Sequence, residues 1–354
     1  MIARRAVLAG LAAVPLAARA SSAPARLPQV AGVRLTIVAD GTAGGFGVPV
    51  RADGFVLEPT PRFASYRAAL KAEWGYSVLA SALPSDGRRR QVLIDFGYTP
   101  DAFDNNRRLL GVDLAAIDAM VLSHGHYDHF GGLDALVRSR ALRPGTPLHV
   151  GGEEVFCERL RGLGADALPF GRLDRAAAER GGVRFVVSPE PRALADIGFT
   201  TGRIPLVSPE RPKVPTQMLP GHGCPLATLP PDRRGPVPRV DDAEHELGTV
   251  FHLAGRGLVV IGSCSHRGII NTVRRAQAVS GESRVFAIVG GFHLVPPQTP
   301  EQARETVAMM TALDPRWVVP GHCSGEAFIA AATAAMPGRV HRAPVGTRLS
   351  FGDA

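Results

Sequence analysis

The stretch that most constrains this chain is residues 123–132, which read S-H-G-H-Y-D-H-F-G-G. It follows an apolar run over residues 117–122, which predicts a buried strand that ends in a turn. Its candidate metal ligands are His124, His126, Asp128 and His129. Imidazole and carboxylate are common ligands of zinc and related ions, and a single ion rarely takes four ligands from so short a loop. A histidine-rich surface turn would not explain the buried strand before it, so we expect a site for one or two metal ions.

Three further apolar runs also end near histidine. Each predicts a strand and is followed by candidate ligands: Cys264 and His266 after 258–261, His293 after 285–289, and His322 after 317–319. The first two runs are followed by helical patterns, which is typical of βα architecture. His293 or His322 alone could serve a purely structural role. Four strand ends that carry histidine favour one shared site, because a rigid sheet gathers residues from distant parts of the chain at its strand ends.

The remaining pattern is that of an α/β chain with many loops. The 354 residues are 45% hydrophobic, which is enough for one large domain, and the 40 glycines and 30 prolines indicate short elements. Residues 33–40 predict a first strand, and residues 76–82 and 90–95 predict a hairpin. Residues 101–110 predict a short helix. Proline is dense between 165 and 240, which predicts a loop-rich insertion or a segment that covers a substrate.

The motifs taken together resemble the metallo-β-lactamase superfamily. The matching segments are 73–77 (EWGYS), 94–97 (IDFG), 123–132, 201–205 (TGRIP), 264–271 (CSHRGIIN), 290–293 (GGFH) and 320–323 (PGHC). They are most similar to its branch of 7,8-dihydropterin-6-methyl-4-(β-D-ribofuranosyl)aminobenzene-5'-phosphate synthase-like proteins, from about residue 33 to about residue 328. The resemblance implies an α/β (α+β) fold, an αββα sandwich over residues 30–354, with the metal site at one edge of the sheets.

The resemblance also implies a ligand set. The expected metal ligands are His124, His126 and His266 for a first ion, and Asp128, His129 and His322 for a second. The bridging aspartate that is usual in the superfamily is replaced here by the segment 262–264, and either Cys264 or His266 takes its place. A histidine expected upstream of that strand is not evident, and its candidates are His222, Asp242 and His245. Asp95 is expected to orient a histidine or the motif loop rather than to bind metal.

These ligands predict a hydrolase. A bound dication lowers the pKa of its water towards about 7, which gives a metal-bound hydroxide as the nucleophile. Asp128 is the expected catalytic ligand that orients this nucleophile, and His293 is the candidate for proton delivery or oxyanion contact, with a purely structural role as the alternative. We expect Zn2+, two ions per chain, with Mn2+ or Fe2+ as alternatives. The expected partner is a small-molecule substrate, an ester, phosphoester or lactone, and an anionic one would suit the basic chain.

Two other functions remain open. A dihydropterin-type transferase on the same fold would need several arginines at the site, and Arg203 and Arg267 are the nearest to motif elements. A non-catalytic metal-binding protein is the other alternative. The net charge of +8 comes mostly from scattered arginine without a basic stripe interleaved with aromatic residues. We therefore expect no nucleic-acid partner.

The N-terminus predicts export. Residues 1–20 combine Arg4 and Arg5, an apolar run and a small-x-small cleavage site at 18–20, which is similar to a twin-arginine signal peptide. The expected partner is the twin-arginine export machinery, and the expected location is the periplasm or the medium after cleavage. The run is too short for a stable membrane span.

The four cysteines are Cys157, Cys224, Cys264 and Cys323. Export would permit disulfides. Cys264 and Cys323 both lie beside histidines in metal-like motifs, so a disulfide framework is the weaker interpretation. Cys157 is expected to be a small buried apolar residue.

Overall fold

The computed structural model describes residues 27–45, 47–163, 166–213 and 215–354. The predicted signal peptide, residues 1–20, lies outside the described residues. Within these ranges, none of the helices has the length and apolar character that crossing a lipid bilayer requires.

The elements are short and numerous, as the glycine and proline content predicts. The strands are β1 (Gln29–Val30), β2 (Gly32–Ala39), β3 (Val50–Ala52), β4 (Phe55–Glu58), β5 (Ser77–Ala82), β6 (Arg90–Ile94), β7 (Ala119–Val121), β8 (Thr146–Val150), β9 (Glu158–Arg161), β10 (Leu168–Gly171), β11 (Val183–Val187), β12 (Arg192–Leu194), β13 (Gly198–Thr200), β14 (Thr216–Leu219), β15 (Arg239–Val240), β16 (Thr249–Leu253), β17 (Gly257–Gly262), β18 (Val285–Gly290), β19 (Trp317–Pro320) and β20 (Arg348–Gly352). The helices are α1 (Pro100–Leu109), α2 (Tyr127–Phe130), α3 (Leu133–Ser139), α4 (Arg175–Arg180), α5 (Ile269–Ser280), α6 (Pro300–Ala312) and α7 (Glu326–Ala335).

Two large sheets pack face to face between two layers of helices. The first has the order β11-β8-β7-β6-β5-β2-β20-β4-β3, and the second has the order β12-β13-β16-β17-β18-β19, with β1 beside β16. Side chains such as Leu35 and Val78 from the first sheet share one core with Phe251 and Val259 from the second. Helices α1 and α3 cover the outer face of the first sheet, and α5, α6 and α7 cover that of the second. The predicted αββα sandwich is confirmed.

Strand β17 shows why the site strands are apolar without alternation. Val259 and Ile261 face the other sheet, whereas Leu258 and Val260 face the helices, and all four are buried. A strand covered on both faces has no solvent side, so it becomes a continuous apolar run. The predicted hairpin is also confirmed, because β5 and β6 pair antiparallel.

The predicted loop-rich stretch from 165 to 240 differs from the structure. Strand β11 pairs parallel with β8 in the first sheet, and β13 pairs antiparallel with β16 in the second. Strands β14 and β15 join β9 and β10 in a separate four-stranded sheet. The stretch is therefore not one inserted loop. Its strands have only two to five residues, so their sequence pattern is too short to be recognised among the prolines.

Candidate metal centre

The histidines meet because their strands end side by side. Strands β17, β18 and β19 run parallel, and Gly262, Gly290 and Pro320 at their ends lie at matching register positions. The turns after these strands carry the predicted residues Cys264, His266, His293 and His322. The motif loop leaves the end of β7 in the opposite sheet. The eight predicted site residues thus lie in one cluster beside the strand ends, in which six are buried and His293 and His322 are half-buried.

The first group of candidate ligands is His124, His126 and His266, whose ligand atoms lie within 4.8 Å of one another. The Nε2 atoms of His124 and His266 are 3.0 Å apart. The Nδ1 of His124 lies 2.9 Å from the hydroxyl of Ser123, and the Nε2 of His126 lies 3.2 Å from Asp241 Oδ2. One ring nitrogen of His124 and one of His126 therefore have a protein partner, which leaves the other free for a metal ion.

The second group is Asp128, His129 and His322. Asp128 Oδ2 lies 3.7 Å from His129 Nε2 and 3.4 Å from His322 Nε2. Both of these nitrogens are buried and make no hydrogen bond. Buried polar atoms are normally paired, so two unpaired nitrogens that converge on one carboxylate fit a metal ion.

The Cys264 thiol lies between the two groups. Its Sγ is within 4.8 Å of ligand atoms of His124 and His129, and also of His322. His266 clusters with His124 and His126 instead. Of the two candidates for the bridging position, Cys264 shares groups with residues of both sets, whereas His266 shares groups with His124 and His126 and with Cys264 and His293.

Buried carboxylates fix the turns that carry the ligands. Asp95 accepts hydrogen bonds from the backbone N–H and the hydroxyl of Ser123 and from His129 Nδ1, each at 2.7 Å. This is the orienting role expected of Asp95, and its backbone holds the left-handed conformation at a φ of 54°. Asp40 and Glu246 do the same for the other turns: the N–H of His322 donates to Asp40 and the N–H of His266 donates to Glu246, both at 2.8 Å.

A buried ion pair supports His126 from behind. Arg159 is fully buried and donates through Nε to Asp241 Oδ2 at 3.0 Å, the oxygen that His126 also contacts. Its remaining nitrogens donate to three backbone carbonyls or approach His245 Nε2 at 3.2 Å. Asp241 and Arg159 are not recognisable from the sequence, because an acidic or basic residue carries no local signal of burial.

The three candidates for an upstream histidine do not join either ligand group. His222 is exposed on a turn, and Asp242 pairs with Arg233. His245 accepts a hydrogen bond from the backbone N–H of Gly125 at 3.0 Å. Burial, together with the positive charge of Arg159, lowers the pKa of His245 to about 3. The neutral ring is therefore a structural acceptor.

The ionisation states of His124, His266 and Asp128 suit metal binding. Burial and the surrounding histidines hold the pKa values of His124 and His266 well below their usual range, so both rings stay neutral at pH 7. Burial opposes ionisation of Asp128, but its neighbours His129 and His322 lower its pKa below the usual range. Neutral imidazole and ionised carboxylate are the forms that bind a metal ion.

Arg203 and Arg267, the arginines nearest to the motifs, are used elsewhere. Arg267 is buried and donates through Nε to the carbonyl of Ile204 at 2.7 Å. Arg203 pairs with Glu244 at 2.9 Å. In this conformation the Arg267 guanidinium is committed to backbone carbonyls, whereas Arg203 is half exposed and paired with one carboxylate.

The expectation for Cys157 is wrong in one respect. Cys157 is buried as expected, but it forms a disulfide with Cys224, which ties β9 to the loop after β14. Cys264 and Cys323 are free thiols. The pairing joins residues 67 positions apart, and nothing in the local sequence of either cysteine indicates it.

We expect the disulfide to stabilise the small sheet that carries Arg159. Replacing both Cys157 and Cys224 with serine should lower the free energy of unfolding by about 4 kcal/mol, because the unfolded chain loses a closed loop. Urea unfolding of the variant beside the wild-type protein measures this change, and the wild type in reducing agent is the control. An unchanged midpoint in the variant would show that the bond contributes little.

The fold and the clustered histidines and carboxylates define the class of metal-dependent αββα proteins. The chain belongs to the metallo-beta-lactamase superfamily, whose sequence profile matches residues 86–322. It is 28% identical to the 7,8-dihydropterin-6-methyl-4-(beta-D-ribofuranosyl)-aminobenzene-5'-phosphate synthase of Methanocaldococcus jannaschii, over 74% of this chain and 85% of that protein.

A solved structure agrees on the fold. The crystal structure of Tm1679, a metal-dependent hydrolase of the beta-lactamase superfamily, superposes with a TM-score of 0.67 at 24% identity. That match covers 91% of this chain and 100% of the other. A diphosphatase of the PhnP family superposes with a TM-score of 0.46 at 17% identity, over 90% of this chain and 97% of that one.

Proposed function

We propose that this chain is an exported metal-dependent hydrolase that holds two metal ions, with zinc as the first choice and manganese or iron as alternatives. Its substrate is a small ester, phosphoester or lactone. The observation that carries the proposal is the pair of adjacent three-ligand groups, His124/His126/His266 and Asp128/His129/His322, with unpaired buried nitrogens in the second.

Metal ions held there would activate water and polarise the scissile bond. The chain's own residues fix the geometry for this chemistry. Asp95 holds the ring of His129, and Asp241 holds the ring of His126. The second nitrogen of each ring is therefore already oriented before a metal ion binds. Asp128 stays ionised and can orient the attacking water through a carboxylate oxygen. Such preorganisation lowers the barrier because little rearrangement is needed during the reaction.

His293 is the residue we assign to proton transfer. Its Nδ1 lies 3.5 Å from Cys264 Sγ, and its Nε2 makes no hydrogen bond. With His266 it lines a small cleft whose other wall includes Gln298 and Gln302. We propose that a polar substrate enters this cavity and that His293 delivers a proton to the leaving group.

The proposed export agrees with one feature of the described residues. The disulfide between Cys157 and Cys224 would persist in an oxidising compartment such as the periplasm, and would be reduced in most cytosols. The twin-arginine route, which carries folded proteins, would allow the metal to be loaded before export.

A transferase is the second candidate, since one relative is by name a synthase. The engagement of Arg203 and Arg267 elsewhere argues against it, because a pyrophosphate-like leaving group needs positive charges at the site. A product assay with and without an acceptor molecule distinguishes transfer from hydrolysis.

Metal analysis of the purified mature protein by mass spectrometry tests the proposal, followed by a panel of phosphoester, carboxylic ester and lactone substrates. We expect about two ions per chain and turnover that a chelator abolishes and added metal restores. Metal without turnover across the panel would favour a binding protein. A protein that takes up no metal, even after reconstitution, would end the hydrolase proposal.

A further inference from the structure

The second free thiol, that of Cys323, lies beside the candidate metal ligands. Cys323 directly follows His322 in the turn after β19, and it is fully buried. Its Sγ lies 3.2 Å from the Sγ of Cys264, and neither cysteine is in a disulfide. The two sulfur atoms and a ring nitrogen of His322 all lie within 4.8 Å of one another.

The surrounding backbone makes room for this thiol. A Cβ at Gly291 would lie 2.8 Å from Cys323 Sγ and 3.1 Å from the His322 ring, so a side chain there would displace the pair. The turn is held at its start, because the N–H of Gly321 donates to the carbonyl of Gly290 and the N–H of His322 donates to Asp40, each at 2.8 Å. His322 adopts the left-handed conformation, at a φ of 44°. Strained backbone that is fixed in this way is typical of functional sites.

We infer that Cys323 is a further metal ligand, and that Cys264, Cys323 and His322 form a thiolate-rich position beside the Asp128/His129/His322 position. The inference rests on the metal binding in the proposed function. Tetrahedral zinc with sulfur at about 2.3 Å separates two thiolates by roughly 3.8 Å, so the present spacing needs only a small outward movement. Binding releases one proton from each thiol to solvent, and no redox partner is required.

This position determines which metal the centre prefers. Imidazole and carboxylate alone accept manganese or iron as well as zinc, whereas thiolate ligands favour thiophilic ions such as zinc and cadmium. His322 belongs to both the Cys264/Cys323 position and the Asp128/His129 position. A metal ion beside His322 can therefore bind oxygen, nitrogen and sulfur ligands. The centre therefore selects thiophilic ions against harder ones, and loss of Cys323 weakens that selection.

Cobalt is the probe for the sulfur ligands. The metal-free protein is loaded with Co2+, and the sulfur-to-cobalt charge-transfer band in the near ultraviolet is measured per bound ion. We expect a band in the wild type, a fall to about half in Cys323→Ser and near loss in the Cys264→Ser/Cys323→Ser variant. Ser324→Ala is the matched control, because Ser324 is buried in the same turn and only donates to the carbonyl of Gly290. The charge-transfer band of Ser324→Ala should have the same intensity per bound ion as that of the wild type.

A measurement on the wild type alone keeps the inference testable if a variant fails to fold, and a second measurement compares the wild type with Cys323→Ser. X-ray absorption at the zinc edge should show sulfur neighbours, and cadmium should displace manganese more readily than in Cys323→Ser, by about tenfold or more. Bound metal without sulfur neighbours, an unchanged band in Cys323→Ser, or a Cys264–Cys323 disulfide in the metal-loaded protein would overturn the inference. Bound metal without sulfur neighbours would contradict this inference and leave the hydrolase proposal intact. A protein that binds no metal would contradict both the inference and the hydrolase proposal.

Discussion

Replacing Asp128 with alanine should remove about one of two bound metal ions per chain and lower kcat/KM by about a thousandfold or more. Asp128 is the only carboxylate in the His129/His322 group among the described residues, and it contacts both rings. Without it the second position keeps two imidazole rings and no carboxylate. A metal ion contributes several kcal/mol to stabilising charge in a transition state, which corresponds to this loss of rate.

The matched control is Asp134→Ala. Asp134 lies six residues further on, in helix α3, where it is exposed and pairs with the exposed Arg138. Metal content and kcat/KM should both stay at the wild-type level. His266→Ala supplies the complementary result, since it should remove the ion of the first group and leave that of Asp128. Full metal content and activity in Asp128→Ala would place the reactive ion elsewhere.

Replacing Arg159 with methionine should lower the free energy of unfolding by about 3–5 kcal/mol, the cost of leaving one member of a buried ion pair unpaired. Asp241 would keep a buried charge, and its pKa, which is now held well below the usual range against burial by Arg159 and His126, would rise. Asp241, which contacts the His126 Nε2, would no longer be held in place by Arg159. We therefore also expect metal affinity to fall by about 10- to 100-fold, the usual effect of losing a group that orients a ligand.

Arg161→Met is the control for this change. Arg161 lies on the same strand, β9, but is exposed, so its replacement should alter stability by less than about 0.5 kcal/mol. Denaturant unfolding of the metal-free proteins gives the stability, and competition with a chelator gives the affinity. Equal stability of Arg159→Met and the wild type would show that Asp241 finds another partner.

The sequence indicates the ligands well because each follows a strand end directly. His124 follows β7 by three positions, and His266 and His322 follow β17 and β19 at similar distances. Local pattern therefore shows both the strand and the side chain that it delivers. The structure brings these residues together as expected, and it adds Cys323 to the same cluster.

The supporting residues could not be found in this way. Asp40 and Asp241 lie far in sequence from the turns that they hold, and Asp241 directly precedes another aspartate that pairs outside the site. Which of two adjacent carboxylates is buried depends on packing between distant segments. The same holds for the pairing of Cys157 with Cys224, which needs β9 and the loop after β14 to be neighbours.

The sequence by itself determined the class of fold, the metal-binding motif and the identity of the strand-end histidines, since these depend on local periodicity and on spacing within a few residues. Only the tertiary structure decided how the ligands divide into two groups, that Cys264 lies between them, and that Arg159 and Asp241 support His126. The physical reason is that coordination and burial depend on distances between segments that are far apart in the sequence, and these distances arise only when the chain is folded.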